Sequence, residues 1–336
     1  MLSNIIALDN ISNAKTIIEQ SEKILLTAHI SPDGDALGSL LGLYHYLKSK
    51  NKEVVMMVPN RYPAFFSWMT GIDDVVVMEE AKPESVQIFK SSDLIFCLDY
   101  NALNRVNGMK PLIETSKAKK IMIDHHLYPN VDCDVVISHP SMASTCELVF
   151  RFIYQLGDLD MLSYASAEAI YTGMMTDTGS FTFNSNSPET YEIIRILLEK
   201  GIDKDVIYNN VNNTYSEDRL RLLGYCIQNM EILEDCNTAI IALSRQELLD
   251  HNYKIGDIEG FVNVPMQIKH ITRSVLVRED KDKVKLSFRS QGDTPVNTIA
   301  EHFGGGGHKN AAGGESYVPL NETLTKLRKV LRGEQE

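Results

Sequence analysis

Several features are missing from this chain of 336 residues, and each absence narrows what it can be. No apolar run approaches the ~18 residues needed to cross a bilayer, so no membrane association is expected. The opening residues, Met1 to Asn10, have neither a basic segment nor a continuous apolar one, so no secretory signal is expected. There are five cysteines, an odd number with no C-x-x-C pair. That usage fits a reducing, cytoplasmic setting better than a disulfide framework. Cys97 and Cys146 lie in apolar patterns and are expected to be buried thiols rather than nucleophiles. Positive charge is also scarce: 33 Lys and Arg stand against 45 Asp and Glu, a net charge of -12. A protein that grips long duplex nucleic acid carries a basic footprint, so any polyanionic ligand here should be short and locally held.

What is present is hydrophobic patterning enough for more than one core. Up to about residue 200, continuous apolar runs alternate with helical segments. Lys23 to His29, Glu53 to Val58, Asp74 to Met78, Asp93 to Leu98 and Lys119 to Ile123 read as buried strands. Helices are expected at Asp35 to Leu47, Ala143 to Leu156, Ser163 to Met175, and between Pro188 and Gly201. The fold class is therefore α/β, with a mainly parallel N-terminal sheet flanked by helices and a smaller C-terminal α/β domain. Strands at 238–243, 273–277 and 283–289 and a last helix from Leu320 to Leu331 make up that second domain. The domains are drawn at 1–202 and 236–336, with a helical connection at 203–235.

Acidic and imidazole side chains recur where strands should end. His29-Ile-Ser-Pro-Asp33-Gly-Asp35 follows the first strand, Asp99 follows Leu94 to Leu98, and Asp124-His125-His126 follows Lys120 to Ile123. Asp177 closes Tyr171-Thr-Gly-Met-Met-Thr-Asp177. In an open parallel sheet ligands bind beyond the carboxyl ends of the strands. Five carboxylates and several imidazoles gathered there would repel one another without a cation between them. A pair of divalent ions, Mn²⁺ above all, suits this mixture of oxygen and nitrogen donors. Asp35 precedes an apolar periodic segment and is a candidate cap for that helix. Capping accounts for one aspartate and leaves the recurrence at the other strand ends unexplained.

The C-terminal landmark is Phe303-Gly304-Gly305-Gly306-Gly307-His308, with Arg289 upstream. Successive glycines let backbone N–H groups approach an anion, a helix starting at His308 would add a positive dipole end, and Arg289 offers a fork suited to phosphate. On composition alone a flexible loop is an equal reading. Arg105 is a further candidate phosphate contact, weighed equally against a surface arginine. Phe181 and Phe183 could stack a base, though core packing is the simpler expectation for them, as it is for Tyr171.

The ordered set His29/Asp33/Asp35, Asp99, Asp124-His125-His126 and Asp177 resembles the four motifs of the DHH phosphoesterases, and Gly304 to His308 with Ala311-Ala-Gly-Gly314 resembles the DHH-associated substrate domain. The two-domain form is similar to the branch of bifunctional oligoribonucleases and 3'-phosphoadenosine-5'-phosphate (pAp) phosphatases. The resemblance implies two manganese ions, one on His29, Asp33 and Asp99, the other on Asp35, Asp99, His125 and Asp177. It implies His126 as donor to the phosphate or leaving oxygen and Asp124 as the group that orients a histidine. It implies that Arg289, Arg105 and Gly304 to His308 bind substrate, in a cleft between the domains. Substrates would be short single-stranded RNA or DNA oligonucleotides and pAp, not long duplexes. The alternatives are a phosphodiesterase for linear dinucleotides such as pApA or a related cyclic dinucleotide, and a non-catalytic nucleotide sensor. A homodimer is compatible with the sequence.

Overall fold

A computed structural model describes residues 2–334, which divide into two compact units between Thr214 and Tyr215. The first contains α1 (Leu8–Gln20), β1 (Lys23–Thr27), α2 (Gly34–Ser49), β2 (Glu53–Val58), β3 (Val75–Val77), α3 (Lys82–Ser91) and β4 (Leu94–Leu98). It continues through α4 (Lys110–Thr115), β5 (Lys119–Asp124), β6 (Val135–Ser138), α5 (Thr145–Gln155), α6 (Tyr164–Asp177), α7 (Pro188–Glu199) and α8 (Lys204–Asn212). The second has α9 (Glu217–Asn229), β7 (Glu231–Leu233), β8 (Thr238–Leu243), α10 (Arg245–Asp250), β9 (Arg273–Glu279) and β10 (Val284–Ser290). It closes with α11 (Asn297–Glu301), β11 (Gly306–His308), β12 (Ala311–Ser316) and α12 (Leu320–Arg332).

The expected parallel sheet is present, with six strands in the order β3-β2-β1-β4-β5-β6, every pair parallel. Its central strands are buried on both faces, which is why they read as unbroken apolar runs instead of alternating ones. Ile24 and Leu26 of β1 enter one core with α2, α5 and α6, while Leu25 enters the other with Ile95, Cys97 and Met122. Strand order reverses direction between β1 and β4, and a switch of that kind opens a crevice at the strands' carboxyl ends. The motifs expected at strand ends therefore meet there because of topology.

Helix α2 starts where Asp33 accepts hydrogen bonds from the N–H groups of Asp35 (3.1 Å) and Ala36 (3.0 Å). The cap is thus Asp33, not Asp35, whose side chain is left for another use. Helix α2 packs unusually close to α6. A Cβ on Gly38 would lie 2.6 Å from the Ala169 carbonyl oxygen, and one on Gly173 would lie 3.1 Å from Asp35 Cα. Only residues without a side chain allow that approach, and it draws the start of α2 toward the end of α6, where Asp177 stands.

The second unit is a mixed sheet ordered β11-β12-β10-β9-β8-β7, parallel only between β8 and β9. The segment 203–235 divides between the units: Ile207 and Val211 of α8 pack in the first core, Leu222 and Cys226 of α9 in the second. Among the described residues, no helix is long and apolar enough to cross a membrane. Cys97 and Cys146 are buried, as expected.

Candidate metal centre

The cluster is built from chain turns leaving β1, β4 and β5 and from the ends of α2 and α6. Asp99 is central. It follows β4 directly with φ at +61°, in the left-handed region, and its N–H is bonded to the Ile123 carbonyl at 3.1 Å. Aspartate tolerates that backbone better than most residues, and strained conformations of this kind gather at functional sites. The turn lays the Asp99 carboxylate flat between two sets of groups. Oδ2 is 3.2 Å from His29 Nε2, while Oδ1 is 3.7 Å from both His125 Nε2 and His126 Nδ1.

The histidines are oriented by their other ring nitrogen. His29 Nδ1–H donates to the Ile30 carbonyl (2.8 Å), and His125 Nδ1–H donates to the Met142 carbonyl at 3.3 Å. With Nδ1 so engaged, Nε2 of each ring faces carboxylate oxygens and, in the neutral ring, would carry a lone pair. His29 Nε2 faces Asp33 at 3.8 Å, and His125 Nε2 faces Asp35 at 3.8 Å and Asp177 at 3.5 Å. Lone pair against carboxylate is repulsive unless a proton or a cation lies between. Metal-bound histidines typically donate their second nitrogen to a carbonyl or carboxylate, as these do. Three overlapping groups have donor atoms all within 4.8 Å of one another: His29, Asp33 and Asp99; Asp35, His125 and Asp177; and Asp99, His125 and His126. The residues fit divalent metal binding.

Charge in the cluster is uneven. Burial works against the Asp99 carboxylate, but the hydrogen bond from His29 and the charges of His29, His126 and His125 hold it well below the usual carboxylate range. Asp35 is pushed well above that range by burial first and then by the negative charges of Asp99 and Asp177. Burial opposes protonation of His29 and His125 too. At His29 the Asp99 hydrogen bond and the Asp33 charge outweigh it, and at His125 the charges of Asp35 and Asp99 do so; both rings are raised. His126 goes the other way, lowered by burial despite a hydrogen bond to Asp124.

Asp124 ends β5 fully buried and accepts from His126 Nδ1 at 2.7 Å, so the histidine it orients is His126. Its other oxygen, Oδ2, is buried with no hydrogen-bond partner. The Arg105 carbonyl accepts from Ile30 N–H (2.7 Å), and its cationic charge disfavours protonation of both His29 and His126, which places it beside the cluster. Phe181 packs on Tyr171 with ring centroids 5.6 Å apart, as a core residue does. Phe183 is 49% exposed. Three hydrogen bonds to the cluster have no distinct signature in the sequence. The N–H groups of Thr145 and Cys146, at the start of α5, donate to the two oxygens of Asp35, and the Thr145 hydroxyl donates to Asp99. The only trace of them in the chain is the polar pair Ser144-Thr145 ahead of an apolar helix.

In the second unit the glycine run differs from expectation. His308 does not begin a helix. It ends β11, which turns through Lys309 and Asn310 into β12. The N–H groups of Gly304 and Gly305 are spent on the carbonyls of Glu301 and Ala300, closing α11. Gly306 and Gly307 pair with Gly313 and Ala312 across the hairpin. A Cβ on Gly305 would lie 1.9 Å from the Gly313 carbonyl oxygen and one on Gly307 2.5 Å from the Ala311 carbonyl oxygen, so these two are bare because backbones touch. Registry then sets Arg289 opposite Ala311 and Ala311 opposite His308, with Ser287, Gly313 and Gly306 forming the next row. Cross-strand partners share a sheet face. Arg289 and His308 thus flank a floor of alanine and glycine, and the glycines make room on a sheet surface rather than a loop of open amides.

Comparison with known proteins agrees with this geometry. Residues 23–174 match the model of the DHH family, N-terminal domain, and residues 235–334 match the DHHA1 domain. The chain is 28% identical to the bifunctional oligoribonuclease and PAP phosphatase NrnA of Thermus thermophilus, over 93% of this chain and 90% of the relative. It is 25% identical to the cyclic-di-AMP phosphodiesterase GdpP of Bacillus subtilis over 94% of this chain, but spans 48% of that protein. A crystal structure of an exopolyphosphatase-related protein from Bacteroides fragilis shares 47% identity and a TM-score of 0.95, covering 99% of this chain and 98% of that one. The chain is a member of the DHH family of phosphoesterases, with a DHHA1 domain as its second unit.

Proposed function

We propose that this phosphoesterase hydrolyses short oligoribonucleotides to mononucleotides and pAp to AMP and phosphate. The observation that carries the proposal is Asp99, whose two oxygens face different imidazoles while Asp33, Asp35 and Asp177 close around them. Two divalent cations, manganese for preference, would sit on His29, Asp33 and Asp99 and on Asp35, Asp99, His125 and Asp177; when bound they supply charge neutralisation and a hydroxide source at neutral pH.

The chain's own groups do the rest. Asp124 accepts Nδ1–H of His126 and fixes that ring's rotation, so that Nε2 is the atom assigned to exchanging a proton or hydrogen bond with the phosphate or leaving oxygen. Burial lowers His126, and the negative charge of an arriving phosphate acts in the opposite sense. Arg105, whose positive charge acts on His126, is assigned as a further contact to the phosphate. Arg289 and His308 are assigned to a terminal phosphate, with the alanine and glycine floor leaving space for the nucleotide.

The test is turnover of pAp, of two- to five-nucleotide RNA and of a 24-mer by purified protein with manganese. Short substrates should be consumed and the 24-mer spared. No turnover of any of them with metal bound would overturn the proposal. Likeness to a cyclic-di-AMP phosphodiesterase supports a second reading, cleavage of linear dinucleotides such as pApA, and pApA belongs in the same assay. In that assay Arg289→Ala should raise KM about 10-fold or more, the loss of one charge-assisted contact, while manganese content stays at the wild-type level. Loss of metal from this variant would show that Arg289 is wrongly assigned.

A further inference from the structure

Asp99 is shared by both halves of the cluster and Asp35 belongs to one of them, and a single residue holds both. Thr145 donates its N–H to Asp35 Oδ2 at 2.6 Å and its hydroxyl to Asp99 Oδ1 at 2.8 Å. The next amide, Cys146 N–H, donates to Asp35 Oδ1 at 2.8 Å. Thr145 is fully buried, as are its neighbours Ser144 and Cys146. Ser144 caps α5, its hydroxyl accepting from Glu147 N–H at 3.0 Å.

We propose that Thr145 is a positioning residue that couples the two metal positions. A carboxylate on a single bond can rotate and offer either edge. Asp99 can serve both positions only if Oδ2 stays toward His29 while Oδ1 stays toward His125. A hydroxyl has one proton to give, and Thr145 gives it to Oδ1, which fixes that rotation and leaves Oδ1 a lone pair for a cation. The same residue's amide holds Asp35 beside it. Binding at one position therefore finds the shared ligand already set for the other. This inference rests on the two-ion reading above.

Manganese titration followed by calorimetry and electron paramagnetic resonance tests it. Wild-type protein should take up two ions and give the spectrum of an exchange-coupled pair. Thr145→Val keeps the shape and removes the donor, and should weaken uptake of the second ion about 10–100-fold, the range for loss of a partner that orients a ligand. The coupled signal should vanish at manganese concentrations that saturate wild type. Thr145→Ser restores the donor and should restore the signal, and Thr145→Ala should behave as the valine variant does. Circular dichroism of the metal-free variants establishes that they are folded. A folded valine or alanine variant that binds both ions with wild-type affinity and coupling overturns the role given to Thr145. Wild-type protein that takes up one ion or none sinks the two-ion reading itself, and the coupling with it.

Discussion

Asp99→Ala should lower kcat/KM by on the order of 10³-fold or more, a larger loss than any other single carboxylate produces. Removing a partner that merely orients a ligand costs about 10–100-fold. Asp99 does more, because each of its oxygens faces a different part of the cluster and its truncation disturbs both at once. It also removes the carboxylate oxygens that face His29 Nε2 at 3.2 Å and His125 Nε2 at 3.7 Å. Asp177 makes the useful comparison. It is only partly buried and belongs to one of the donor groups, with Asp35 and His125, so Asp177→Ala should keep more activity and lose less metal. Kinetics on pAp and a trinucleotide, with manganese stoichiometry measured on the same samples, checks both. An Asp99→Ala protein within 10-fold of wild type would refute the bridging assignment.

The second large effect is expected at a residue with no side chain of its own. Gly173→Ala adds one methyl group, 2.1 Å from Cys146 Sγ and 3.1 Å from Asp35 Cα. Cys146 is buried and has nowhere to turn, so the helices must part or the core must distort, at about 1–3 kcal/mol. Activity should fall further than stability does, since the group displaced with Cys146 is Asp35. A second substitution separates crowding from other causes. Cys146→Ala removes the clashing sulfur, and in the Gly173→Ala background it should recover melting temperature and part of the turnover. Additive losses in the double variant would mean that the contact with Cys146 is not what makes glycine necessary.

The two effects differ in how visible their causes are in the chain. The strands β1, β4 and β5 were legible because burial on both faces writes itself as an apolar run, and the chemistry after each run stands out against it. Asp33 and Asp35 show why neighbouring residues are harder to separate. Both stand at the start of the same apolar helix, but only the folded backbone decides that Asp33 caps it and Asp35 turns onto α5. The glycine run misled for a related reason. Gly304 to Gly307 have the composition of an anion-binding loop, and nothing local says that two close a helix while two press against a neighbouring strand. The spacing of Gly34, Gly38 and Gly42 was available as a sign of close helix packing, yet its partner helix begins more than a hundred residues later.

By itself, then, the sequence determined the α/β class, the family motifs and their order along the chain. Those depend on local hydrophobic pattern and on side-chain type, which a linear reading retains. Only the tertiary structure decided which oxygen faces which imidazole, that Asp124 holds His126, that Thr145 joins Asp35 to Asp99, and that Arg289 shares a sheet face with His308. Each of these is a contact between residues on different elements, set by strand order, registry and helix approach. Distances of that kind follow from how the whole chain packs, and no short stretch of it encodes them.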